Sequence, residues 1–229
     1  MPLGVCATMK SIYPALAGVF LAIASMPVLM SELRAVVGAG HSQATRMQAM
    51  ESGRPQVGFS TDSQKRVLDL CVDTISNPAI LQVDAAQREA IRVHCETQVD
   101  RALAHAPSDS FVWWAKAALQ MERGNIPEVF AALERSRQTA PYELWIALRR
   151  ARLDERIEVL QTDPEQARGQ NADLLILAQS RRGVGRLADR YWSDEDFRER
   201  IVDLIETLPP RQQRRFLGNV RAIGQDLQG

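Results

Sequence analysis

Cys71 and Cys95 are the side chains whose positions most directly suggest a bond. They fall on two successive helical segments, separated by Asn77-Pro78, that should fold back on each other as an antiparallel hairpin. In an oxidising compartment such cysteines pair as a disulfide. Otherwise they are two buried thiols, cysteine being among the most buried residue types. Both outcomes stay open, because the turn lies nearer Cys71 than Cys95 and the levels match imperfectly. The third cysteine, Cys6, precedes a long apolar run. His94, Cys95 and His105 have the residue types of a metal site, but adjacent helical side chains such as His94 and Cys95 diverge by about 100°, a poor ligand geometry. The remaining histidine, His41, stands well apart, so no metal ligand set is expected.

Nucleophilic catalysis needs a base beside its nucleophile, and none of the three histidines lies in a Gly-x-Ser-x-Gly or Cys/His context. The acids Asp194-Glu195-Asp196 open a helix, where they complement its dipole. Gly183-Val184-Gly185 lacks the preceding strand that a dinucleotide loop requires and reads as a helix break. No catalytic residue and no cofactor is therefore expected. A pair of carboxylates facing across a helical cleft would be the one enzymatic alternative.

The chain carries 28 basic and 28 acidic residues, a balance that gives no electrostatic pull toward nucleic acid. Only Lys10, Lys65 and Lys116 are lysines, leaving 25 arginines of the 28. Arg149, Arg150 and Arg152, then Arg181, Arg182, Arg186 and Arg190, then Arg211, Arg214 and Arg215 could line a groove for an anionic polymer. Asp154, Glu155, Glu158 and Asp189 interleave them, so salt-bridged helix faces are the preferred reading. Among the tryptophans, Trp113 is expected in the core. Its neighbour Trp114 must point elsewhere, and with Trp145 and Arg149 it forms the expected contact surface.

These side chains have to be held by helices, since no convincing period-two strand occurs. From Ser11 to Ser31 there are 21 uncharged residues, the length a helix needs to cross a bilayer. Lys10 before the run favours an N-terminus inside and a body outside. Ala22-Ile23-Ala24 would suit a cleaved signal peptide instead, and a buried core helix is a third reading. Leu33 to Ser60, rich in Gly, Gln, Ser and Met, sustains no period and reads as a tether. Beyond it, helices are expected from Ser60 to Asn77, from Asp84 to His105, over 143–160 and 171–182, after Ser193-Asp194-Glu195, and after Pro209-Pro210. Together they make a body of seven or eight helices.

Pro107 and Pro141 stand 34 residues apart, with Trp113, Ala117, Gly124-Asn125, Leu133 and Ser136 between them. This stretch resembles a tetratricopeptide repeat, which implies helices over 110–123 and 126–139 packed antiparallel with Ala117 at their contact. Lys116, Gln120 and Val129 depart from the repeat pattern. With the apolar N-terminal run, the cysteine hairpin, Trp145 and Arg149, the chain also resembles the tetratricopeptide-type accessory proteins encoded with bacterial exopolysaccharide machinery, the VpsP type.

The expected protein is all-α. Residues 1–32 form a cytoplasmic tip and transmembrane anchor, 33–60 a flexible tether, and 61–229 a tetratricopeptide-like stack of helical hairpins. The body would lie on the periplasmic side of the inner membrane and bind a protein or peptide partner of the cell envelope, as the resemblance to exopolysaccharide accessory factors implies. The alternative is a cell-wall or polysaccharide-processing enzyme using a carboxylate pair.

Overall fold

The uncharged run folds as the middle of one long helix, α1 (Met9–Val36), in the computed structural model, which describes residues 9–37, 40–157 and 164–226. Cys6, Glu158 and the expected helix end at 158–160 lie outside these residues. The described residues form eleven α-helices and no strand. They divide into two units, 1–107 and 108–229, where a single body over 61–229 was expected.

In the first unit, α1 is long and apolar enough to cross a membrane over Leu16–Val36, and its side chains from Leu16 to Met30 are all exposed. The last turns are not. Ala35 is buried, and α1 packs against α3 (Thr61–Ile75). The stretch expected to be a tether holds a helix, α2 (Gln43–Glu51). Ser42 and Thr45 cap it reciprocally, and Met47, Ala49 and Met50 are buried where it packs on α4 (Ala85–His105). The chain after α2 is tied down as well: the Val57 N–H donates to Gln98 Oε1 at 3.0 Å, and His94 Nε2 bonds the Pro55 carbonyl at 3.0 Å. The tether reading failed because methionine and alanine build the apolar face of α2, scattered among Gln and Gly.

The α3–α4 hairpin begins and ends where its caps require, with Ser60 and Asp84 accepting from the first turns. Cys71 and Cys95 are joined by a disulfide, with Cα atoms 5.5 Å apart and both residues fully buried. Cys95 lies about 15 Å into α4 and Cys71 about 6 Å from the end of α3, at 1.5 Å per residue. The 3-10 turn over Pro78–Gln82 lengthens the connection and takes up this difference.

The second unit opens on the hairpin expected from the 34-residue spacing. Helices α5 (Ser110–Arg123) and α6 (Ile126–Thr139) are its two arms. Gly124 makes the turn in the left-handed region at φ 72°, open to glycine at little cost. Ala117, Leu133 and Ser136 are buried, and the Ser136 hydroxyl donates to the Ser110 carbonyl at 2.8 Å. Five further helices follow: α7 (Leu144–Asp154), α8 (Pro164–Gln179), α9 (Gly183–Ser193), α10 (Glu195–Glu206) and α11 (Pro210–Asp226). Counting from residue 61, the described body has nine helices, not seven or eight. The addition is α9, which Gly183-Val184-Gly185 opens. A Cβ at Gly183 would stand 2.5 Å from the Leu177 carbonyl, so glycine permits the tight turn out of α8. Helix α5 packs on α6 and α7, α6 on α8, α7 on α8, α8 on α9 and α10, and α9 on α10 and α11.

Candidate functional site

Helices α7 and α9 both lie on α8 but meet each other at isolated points at most. Ala147 and Ala151 let α7 close on α8, and Gly183 returns α9 across it. What remains is an open groove. One end, about 450 Å³, is lined by Leu144, Trp145 and Leu148 of α7 with Glu143, Arg182, Gly183 and Arg186. The adjoining end, about 480 Å³, shares Leu148 and Arg186 and adds Ala151, Arg152, Glu155, Leu177, Leu187, Asp189, Arg190, Ser193 and Asp194. Positions 144, 148 and 151 of α7, with Glu155 at its C-cap, follow the three-to-four spacing of a single helix face.

The charges of this groove divide into fixed and free. Arg190 is fixed: its Nη1 lies 2.9 Å from Glu155 and its Nη2 2.9 Å from Asp194, and the guanidinium covers the Phe197 ring at 4.1 Å. The Phe197 N–H and Arg190 hold the Asp194 carboxyl below its ordinary value. Glu143 accepts from the Trp145 indole N–H. Arg152, Arg182 and Arg186 are exposed and make no ion pair among the described residues; of the acids lining the groove, Asp189 and Glu143 are likewise exposed without an ion pair there, Glu143 being engaged by the Trp145 indole. Trp145 is 40% exposed and stacks on Phe111 with centroids 6.1 Å apart. The groove therefore offers an apolar, aromatic end beside three available guanidinium groups.

The expected contact residues separate. Trp145 lines the groove. Arg149 lies over the Phe111 and Trp114 rings, at 5.1 and 4.7 Å. Trp114, expected at the surface, is only 8% exposed and belongs to the core, while Trp113, expected in the core, is half-buried with Lys116 over its ring at 5.6 Å. The two tryptophans exchange places because Trp113 shares a helix face with Lys116 and Gln120. These are polar residues at slots where the repeat carries apolar ones, and Lys116 pairs with Glu128 at 3.0 Å. The departures from the repeat pattern were the signal.

Arg150, expected on a salt-bridged helix face, is instead fully buried. Its Nε and Nη2 donate to Asp173 Oδ1 at 2.9 and 2.6 Å, and its Nη1 donates to the Ser136 and Ala140 carbonyls at 3.1 and 3.3 Å. Arg137 completes the cluster, donating from Nε to Asp173 Oδ2 at 2.9 Å and from Nη2 to Asp154 Oδ2 at 2.7 Å. Helices α6, α7 and α8 are tied together in this way. Gly169 makes room for the Arg137 guanidinium, which a Cβ there would approach to 2.6 Å. Burial pushes the Asp154 carboxyl up to about 7; Arg137 opposes that shift and Asp173 adds to it. Asp154 Oδ1 has no hydrogen-bond partner among the described residues. The two carboxylates converge, but on arginines, and neither lines the groove. Compared with family models, characterised proteins and solved structures, the chain matches none.

Proposed function

We propose that this chain is a membrane-anchored helical scaffold that binds a protein partner in the groove between α7 and α9. The observation that carries this reading is the groove itself, an exposed tryptophan beside half-buried leucines, next to three arginines that make no ion pair among the described residues. Apolar anchors surrounded by guanidinium groups suit a peptide segment that brings an aromatic or aliphatic side chain and nearby carboxylates.

Two features support the wider assignment. The contacts of α5 with α7, α6 with α8, α8 with α10 and α9 with α11 follow the order of stacked hairpins and support a tetratricopeptide-like stack, which parts between α7 and α9 to leave the groove. The Cys71–Cys95 disulfide suits an oxidising compartment, in line with Lys10 inside and the body on the extracytoplasmic face. The resemblance to exopolysaccharide accessory proteins makes a component of that export machinery the first partner to try.

The test is co-purification of an envelope protein with the full chain from detergent-solubilised membranes. Trp145→Ala should weaken its retention by about 2 kcal/mol, as truncation of a buried interface anchor does. Combined Arg182→Glu and Arg186→Glu should weaken it about tenfold or more, at least ~1.4 kcal/mol. Arg211→Glu with Arg214→Glu, exposed on α11, should leave it unchanged. Equal loss in all three variants would overturn the assignment to this groove.

A further inference from the structure

The beginning of α3 is fastened to α1 where the uncharged run ends. At 1.5 Å per residue, the 21 residues from Ser11 to Ser31 span about 31 Å, the thickness of a bilayer's hydrocarbon core. Glu32 is the first charged residue past that edge. Its Oε1 accepts the Phe59 and Ser60 backbone N–H groups, both at 2.8 Å, and its Oε2 accepts the Ser60 hydroxyl at 2.6 Å. A Cβ on Gly58 would lie 2.7 Å from Glu32 Oε1, so the loop comes as close as glycine allows. One turn on, Ala35 is buried, and α1 packs on α3. A body on a flexible tether would need slack at this point, and the chain leaves none.

This fastening fixes the depth of the neighbouring side chains. Phe59 is 58% exposed, and Leu33 and Val36 on the last turn of α1 and Val37 just after it are exposed. Exposed large apolar groups within a few residues of a membrane helix's end lie at headgroup depth, where the interface is several ångströms thick. The arginines nearby, Arg34 and Arg54, are exposed too; of the acids, Asp62 is exposed in the first turn of α3 and Glu51 ends α2. No element of the unit runs back along the apolar stretch, because Leu16 to Met30 are all exposed.

We infer that the first unit is seated on the surface of the membrane that α1 crosses, with Phe59, Leu33, Val36 and Val37 in the boundary between headgroups and acyl chains. The surface is continuous with the anchor, so its occupant is the lipid around α1; the inference rests on reading α1 as a retained anchor. Arg34 and Arg54 reach lipid phosphates, while Asp62 and Glu51 stay on the water side. The seating holds the α3–α4 hairpin at a set height and denies it free rotation about the anchor.

The experiment places a nitroxide on an unnatural ketone side chain at position 59, and separately at Leu81, in the full chain. The protein is reconstituted in nanodiscs of phosphatidylcholine and phosphatidylglycerol. Leu81 is 69% exposed in the 3-10 turn beyond the far end of α3. At 59 the label should collide more with dissolved oxygen than with an aqueous nickel chelate, and at 81 the order should reverse. Phe59→Trp, quenched by lipids brominated next to the glycerol, gives the same reading without a label. Aqueous behaviour at 59 on an intact anchor would overturn the seating. A mature chain starting near Ser25 and free of membrane would overturn the anchor reading and the seating together, and the mass of the purified chain distinguishes these two failures.

Discussion

Asp154 is buried in the interior of the second unit. Folding raises its pKa from 3.8 to about 7, so between those values the folded chain binds more protons than the unfolded one. Stability attributable to this group therefore falls as pH rises from about 4 to 7, by up to about 1.4 kcal/mol per unit, and levels off above. His94 acts in the opposite direction. Burial lowers its pKa, so its contribution is present above about 6.5 and lost as pH falls. Asp154→Asn isolates the first effect: denaturant midpoints of wild type and variant should diverge in the variant's favour from pH 5 to pH 7.5. Parallel curves would mean that Asp154 ionises in the fold as it does in water. Arg150→Ala leaves Asp173 without its main partner in the interior, a loss of about 3–5 kcal/mol, whereas Arg211→Ala, exposed in the first turn of α11, should cost little. None of this cluster was legible in the chain. Arg150 stands among arginines that do face water, and only the packing of α6 and α8 on α7 reveals which member of the run turns inward.

At the scale of elements, the α5–α6 hairpin is the part that sequence described best. Pro107, Gly124 and Pro141 act through backbone geometry that no distant contact can override, so both helices begin and end where the spacing places them. Ala117→Leu should overpack this pair and cost about 1–3 kcal/mol, while Glu134→Gln on its exposed face should be nearly neutral. Thermal denaturation of the two variants checks the contact, and equal tolerance would mean that Ala117 does not set the helix approach. The α3–α4 hairpin was legible through its caps, but the level of its cysteines depended on a 3-10 turn that has no hydrophobic period. Reducing Cys71–Cys95, which closes a separation of 24 residues, should destabilise the first unit by about 3 kcal/mol in the chain-entropy account. Hydrogen exchange with and without reductant should show that loss in α3 and α4. Helices α2 and α9 are obscured in the sequence, for different reasons. The apolar face of α2 is built from Met and Ala, and α9 starts on glycines, which normally stop a helix. The groove was half legible: Trp145 and the arginines Arg152, Arg182 and Arg186 were visible as types, but their meeting depends on α9 lying across α8.

At the scale of the whole molecule, an apolar helix joins a disulfide-braced unit, and a second unit carries the groove. The uncharged run should hold the protein in the membrane fraction through a carbonate wash, and release of the intact chain would contradict the anchor. The central claim is that a partner sits between α7 and α9, and the most direct measurement is photo-crosslinking in intact cells from a diazirine side chain at Leu148. The account predicts a discrete adduct with one envelope protein. The adduct should disappear when Arg182 and Arg186 become glutamate, and it should be absent when the same group is placed at exposed Gly218 on α11. An adduct that forms equally from both positions, or that survives reversal of the two arginines, would contradict it.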